Sequence, residues 1–343
     1  MTTLNLGAHL CAALEKPFHW ALHHLPLDLL DEWARVAFFS KGPYFELFPK
    51  GWGASYPQLQ RLFSIHPKTP IPRVKISWIN EKTLQCILYR EGSFRVRQSQ
   101  GLPAEIRDAQ FRFIPPPDGK KEVCLLLAGW GEHGYVLRMR LAKLLWKKGI
   151  GTLLLENPFH GHRLVPGRRG APVWTVAEAG HLVHAAVYEG RALVKHFEDL
   201  GYQLGVAGFS MGGSLAAWIA VKHPHPLPTT LLATPPSPEV GFLGGVIRKG
   251  IAWQQLSQLK YPEEKLRNLL GRVSLLNVAP PLPGKRIIMM GARADRVVPA
   301  ATIVDLHRYW PHSQLRWCPG GHISLWLFEV KAMVQAIEDS FLG

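Results

Sequence analysis

The sequence predicts an α/β fold, with a mostly parallel central sheet and helices on both faces. Three observations carry that prediction. From residue 122 onward, short continuous apolar runs alternate with helix-length stretches, the βαβα order of a buried parallel sheet. Between residues 74 and 114 apolar and polar residues alternate instead, as they do in half-buried antiparallel strands, a common addition to such a sheet. Finally, the apolar run Leu204 to Ala207 enters Gly208-Phe-Ser-Met-Gly212, and small residues continue to Ala217. That is the form of a strand, a sharp turn and a helix.

The elements follow in order. Residues 1 to about 70 read as a helical N-terminal extension, with helix-spaced apolar residues over Leu4 to Leu14 and Leu22 to Phe39. Its aromatic residues, Trp20, Trp33, Phe48 and Trp52 among them, suit packing on the main domain, an apolar lid or a membrane-contacting face, with core packing the default. Pro67, Pro70 and Pro72 mark the turn into the α/β domain, residues 71–343. Strands are expected over Val74 to Ile79, Thr83 to Val96 and Ala109 to Ile114, the last stopped by Pro115-Pro-Pro117. Buried strands follow at Val123 to Leu127, Gly151 to Leu155, Gln203 to Phe209, Thr229 to Ala233, Arg286 to Met290 and Gln314 to Trp317. Helices between them are expected over Val136 to Trp146, Val176 to Leu200, Gly213 to Val221 and Ile303 to Trp310, and Leu325 to Ile337 closes the chain. Residues 237–283 interrupt the alternation as a helical cap insertion, with helices over Val246 to Leu259 and Leu266 to Leu270.

Bulk composition excludes several classes. At 343 residues, 47% apolar and 19% charged, the chain is globular and long enough to bury a core. No run approaches the roughly 20 apolar residues of a membrane span. The N-terminus has no basic stretch followed by an apolar core, so no signal peptide is expected. Cys11, Cys86, Cys124 and Cys318 are scattered, as in a reduced, cytoplasmic protein. A net charge of +15, from 40 basic and 25 acidic residues, suits an anionic partner (nucleic acid, an acidic substrate, or a phospholipid surface to which the protein would be peripheral) or simply a generally basic surface. No nucleic-acid motif is present, and no nucleic acid is expected as partner.

The turn at Gly208-Phe-Ser-Met-Gly212 fits G-x-S-x-G, the nucleophile elbow. Ser210 would project from a strained turn, and glycines two residues either side would let backbone pass close by. A serine hydroxyl needs a base, and the base an orienting acid. In folds of this class the order is serine, acid, histidine. Ile287 to Asp295 is an apolar strand running into a loop that ends in an acid, and Arg316 to His322 a strand running into a glycine-rich loop that ends in histidine. Both would lie past the carboxyl ends of parallel strands, beside Ser210. Glu239 and Asp305 are the competing acids, and Asp305 falls inside an expected helix. An oxyanion hole needs two backbone N–H groups. Met211 would supply one, and Trp130, in the loop Ala128 to Gly134, the other.

The set resembles the α/β-hydrolase superfamily and, within it, the α/β-hydrolase domain-containing protein 18 family. The resemblance rests on Lys50-Gly-Trp-Gly53, Ala109-Gln-Phe-Arg-Phe-Ile114, Leu127-Ala-Gly-Trp-Gly-Glu-His133, Leu154-Leu-Glu-Asn-Pro158, Phe209-Ser-Met-Gly-Gly213, Asp295-Arg-Val-Val-Pro299 and Gly320-Gly-His-Ile-Ser324. It implies a single hydrolase domain with Ser210, Asp295 and His322 as its triad, acting on lipid or other carboxylic esters. It departs at the oxyanion loop, where Trp130-Gly131-Glu132 stands in place of a Gly-Thr-Gly-Asp type sequence.

Gly129, His160, His162 and Arg163 are expected to line the substrate pocket, because Glu156-Asn157-Pro158 ends a strand on the same edge. Arg163, Arg168 and Arg169 form a basic rim suited to an anionic head group, or a solvated basic loop. Neither His160 with His162 nor His181 with His184 has a carboxylate or cysteine cluster beside it, so no metal and no other cofactor is expected. The expected function is a serine hydrolase that cleaves carboxylic esters through an acyl-enzyme on Ser210. Two alternatives are a non-catalytic lipid or ligand binder on the same fold and an acyltransferase using the same residues.

Overall fold

The computed structural model describes Asp31 and residues 46–64, 70–84, 87–168 and 173–342. Apart from Asp31, the helices expected over residues 4–14 and 22–39 lie outside them.

Nine strands form one sheet in the order β1-β2-β3-β5-β4-β6-β7-β8-β9. The antiparallel front is β1 (Ser77–Leu84), β2 (Ile87–Phe94) and β3 (Ala109–Ile114). β3 also runs antiparallel to β5 (Gly151–Leu155), on whose other side lies β4 (Glu122–Leu127). From β5 onward all pairing is parallel, through β6 (Gln203–Phe209), β7 (Thr229–Leu232), β8 (Ile287–Ala292) and β9 (Ser313–Cys318). The β4 run is apolar throughout because both faces of the sheet are covered. Val123, Leu125 and Leu127 enter one apolar cluster, and Cys124 and Leu126 the other.

Helix α1 (Tyr56–Leu62) precedes the sheet. The first face is covered by α3 (Val176–Asp199) and α4 (Met211–Lys222), through residues such as Leu193, Leu215 and Ile219. The second face is covered by α2 (Val136–Lys147) and α10 (Val330–Phe341), through Leu141, Leu145, Met333 and Ile337. Between β7 and β8 stand three short helices: α5 (Pro238–Leu243), α6 (Trp253–Leu256) and α7 (Pro262–Gly271). Helix α8 (Ala300–Tyr309) joins β8 to β9, and α9 (His322–Phe328) follows β9. Among the described residues no helix is long and apolar enough to cross a membrane.

Three expected elements come out divided. The strand read over Thr83 to Val96 spans a reversal, since Leu84 pairs with Ile87 across the β1–β2 hairpin. The helix read over Val246 to Leu259 is a 3-10 turn (Val246–Gly250) followed by α6, with Ile251 extended between them and bridged to Leu47. The closing helix breaks at Glu329, which leaves helical geometry at φ −96° and ψ 26°.

Candidate active site

The elbow is built as its spacing requires. Ser210 sits at φ 55° and ψ −122°, a conformation that costs a non-glycine residue about 1–3 kcal/mol. Its N–H is held by the Leu232 carbonyl at 2.8 Å, and its own carbonyl accepts the Gly213 and Ser214 N–H groups. The flanking glycines are steric requirements. A Cβ at Gly208 would run into the Gly212 carbonyl, and one at Gly212 into the Leu127 carbonyl. The first turn of α4 is thereby pressed against the end of β4, where the Ala128–Gly134 loop begins.

Past β8 and β9 the two partner loops pair with each other. Arg293 N–H donates to Cys318 O (3.1 Å) and Ala294 N–H to Gly320 O (2.8 Å). This contact brings Asp295 Oδ2 within 2.7 Å of His322 Nδ1, with both side chains buried. Asp295 Oδ1 accepts the Val297 and Val298 N–H groups at 2.9 and 2.6 Å, which fixes the carboxylate. Burial works against the charged imidazolium, but the Asp295 charge, its hydrogen bond and the Asp31 charge outweigh burial. The His322 pKa is left above its ordinary value. The Phe209 ring, next to Ser210, packs 4.7 Å from the imidazole. No hydrogen bond among the described residues joins Ser210 to His322; Nδ1 is committed to Asp295 and Nε2 is the other ring nitrogen. The competing acids are engaged elsewhere: Glu239 pairs with Arg267 in α7, and Asp305 with Arg308 on its own helix.

The loop after β4 is braced at several of its N–H groups. Gly129 donates to Glu132 Oε2 (3.4 Å), Gly131 to His160 Nε2 (3.2 Å) and Gly134 to Glu156 Oε1 (3.0 Å). Trp130 N–H and Met211 N–H have no such acceptor among the described residues. Gly129 itself passes the elbow so closely that a Cβ would meet Phe209 O at 3.3 Å. Behind the loop, Arg138 is almost wholly buried. Its Nε donates to Glu132 Oε1 (2.8 Å), Nη1 to Leu126 O (2.9 Å) and Leu155 O (2.7 Å), and Nη2 to Gly134 O (3.1 Å). One guanidinium thus ties the ends of β4 and β5 to the loop between β4 and α2. Asn157 adds a bond from Nδ2 to Ala128 O at 3.1 Å.

Two of the expected pocket residues have other work. His160 is fully buried, donating from Nδ1 to Pro158 O (2.8 Å) and accepting Gly131 N–H at Nε2. Burial, helped by neighbouring His133, drives its pKa down to about 3, so it is neutral and braces the loop instead of facing substrate. Arg163 is also buried. Its guanidinium makes a two-pronged pair with Glu189 (2.7 and 2.8 Å) and donates to Ile106 O and Glu156 O. His162 is half-exposed, bonded to Glu156 Oε2 at 3.1 Å and stacked on Tyr135. Of the expected basic rim, Arg168 likewise pairs with both Glu178 oxygens and lies over the Trp174 ring. Arg169 lies outside the described residues.

Sequence reasoning missed Phe242 in the insertion and Asp31 in the N-terminal region. The Phe242 ring packs edge-on against Trp130 (5.0 Å) and Phe48 (6.0 Å), bringing the insertion against the Ala128–Gly134 loop. Its signal was an apolar residue five positions after the N-cap Ser237 of a short helix, too little to place it. Asp31 carries no local signal at all.

Among solved structures, the acetyl xylan esterase from Paenibacillus sp. R4 is similar at 16% identity and a TM-score of 0.56, over 82% of this chain and 92% of that one. Acetyl xylan esterase 1 from Thermoanaerobacterium sp. JW/SL YS485 gives 15% and 0.53, over 85% of this chain and 96% of that one. Est1E from Butyrivibrio proteoclasticus, bound to ferulic acid, gives 16% and 0.51, over 68% and 94%. At such identities the likeness is one of fold, and the fold is the α/β-hydrolase fold. The family model described as alpha/beta hydrolase domain containing 18 matches residues 45–278 and 263–342, most of the chain, and the chain belongs to that family.

Proposed function

We propose that the protein is a serine hydrolase of carboxylic esters. The observation that carries this reading is the buried 2.7 Å contact between His322 Nδ1 and Asp295 Oδ2, on the strand edge where Ser210 sits in its strained turn. A histidine held this way presents Nε2 as a base, in the one tautomer that can accept a proton from a serine hydroxyl. Ser210 Oγ bonds to the acyl carbon as its proton passes to His322 Nε2, and the carbonyl π pair moves to oxygen. Met211 and Trp130 N–H groups receive that oxyanion. The ester C–O bond then breaks, and the imidazolium returns its proton to the departing alcohol. Water repeats the sequence on the acyl-enzyme, releasing a carboxylic acid and free Ser210.

The aromatic surface of Trp130 and Phe242 above the oxyanion loop favours an apolar acyl group. With Arg163 and Arg168 both paired to glutamates, neither of these two residues supports an anionic head group. The test is hydrolysis of p-nitrophenyl esters of graded chain length. Turnover should be present in the wild type and absent in folded Ser210→Ala and His322→Gln. Equal turnover in Ser210→Ala would refute the nucleophile.

A further inference from the structure

We infer that Asp31 is a positioning residue of the active site, a second buried carboxylate that clasps the acid loop to the base loop. Its Oδ2 accepts the N–H of Arg296, next to Asp295, at 3.0 Å, and also the N–H of His322 at 2.9 Å. Its Oδ1 accepts the N–H of Ile323 at 2.9 Å. The side chain is 1% exposed, so these bonds face no competition from water. One carboxylate therefore fixes the backbone on both sides of the Asp295–His322 contact. Gly321 is part of the same fit, because a Cβ there would run into the Asp31 carboxylate.

An ordinary helix cap would bond one element only. Asp31 spans two, and they are the two whose separation sets the distance between acid and base. Its charge also reaches the imidazole. Among the described residues, the charged groups acting on His322 are Asp295, in direct contact, and Asp31, and both favour the protonated ring. Asp31 thus orients the base and adds to the stabilisation of the imidazolium formed as Ser210 attacks. An ion-dipole clasp of this kind needs the charge, since hydrogen bonds to a carboxylate are about twice as strong as those to a neutral acceptor.

The test uses the full chain and Asp31→Asn, which keeps the shape and removes the charge. The His322 imidazole pKa is read by NMR, its signal assigned by comparison with His322→Gln. It should fall by about half a pH unit or more in Asp31→Asn. The rate of labelling by a fluorophosphonate should drop roughly tenfold, with its acid limb moved to lower pH. The labelling readout rests on the proposed role of Ser210, whereas the imidazole pKa does not. A wild type that takes no label would sink that role and leave the clasp testable by NMR. A folded Asp31→Asn with unchanged His322 pKa and unchanged labelling overturns the clasp. If Asp31→Asn does not fold, amide exchange in the wild type decides: Arg296, His322 and Ile323 N–H should be protected like core amides, and rapid exchange at all three overturns the inference.

Discussion

Replacing Arg138 by methionine probes the brace behind the Ala128–Gly134 loop, the proposed oxyanion loop. The change keeps the length of the side chain and removes five donors. Glu132 is then left buried, with one oxygen still on Gly129 N–H and no counter-charge, and the Leu126, Leu155 and Gly134 carbonyls lose their donor. Breaking a buried ion pair from one side costs about 3–5 kcal/mol. At roughly 2 °C per kcal/mol for a chain of this size, the unfolding midpoint should fall by about 6–10 °C. Removing both charges tells the brace apart from bulk packing. Arg138→Met with Glu132→Gln should be less destabilised than Arg138→Met alone, because no buried charge is stranded. Thermal unfolding measures both, and fluorophosphonate labelling reads the loop. Both variants should label more slowly than wild type, since Gly129 and Trp130 share the braced segment. A midpoint for Arg138→Met within 2 °C of wild type, or a double variant no more stable than Arg138→Met alone, would refute the reasoning.

Two further outcomes follow from the titrating groups. His322 accepts a proton only when neutral, and its pKa is raised, so the rate of Ser210 labelling should be lost as pH falls through a value above the ordinary histidine value of about 6.5; a limb below pH 6 would contradict the Asp295 and Asp31 contributions. His160 stays neutral in the fold down to pH of about 3, whereas in the unfolded chain it takes up a proton below about 6.5. Stability should therefore fall by about 1.4 kcal/mol per pH unit from this residue alone as pH drops below about 6.5, and His160→Gln should flatten that slope in urea unfolding at pH 6.0 and 4.5.

The central strands β4 to β8 were legible because they bury both faces, and an apolar run such as Val123 to Leu127 has few other uses. The division of Thr83 to Val96 was hidden because apolar residues continue from Leu84 through Cys86 to Tyr89 and Gln85-Cys86 carries no turn residue. Ser210, Asp295 and His322 could be chosen because chain order and strand ends are local features, and the structure brings the acid and base into contact. Charged side chains were harder. Arg163 looks like a rim residue in sequence and is buried, because its partner Glu189 arrives from α3, 26 residues on. Asp31 is 291 residues from His322, and nothing near it in the chain hints at the contact. What periodicity reads is which face is apolar; it does not read which distant backbone N–H a carboxylate will meet.

The central claim is that Ser210 is a nucleophile served by His322. Mass spectrometry of the protein after a fluorophosphonate reagent tests it most directly. A single adduct on the peptide containing Gly208 to Gly212, placed on Ser210 and absent from Ser210→Ala, is the predicted result. An adduct on another residue, or an unmodified protein whose fold and His322–Asp295 contact are intact, would contradict it.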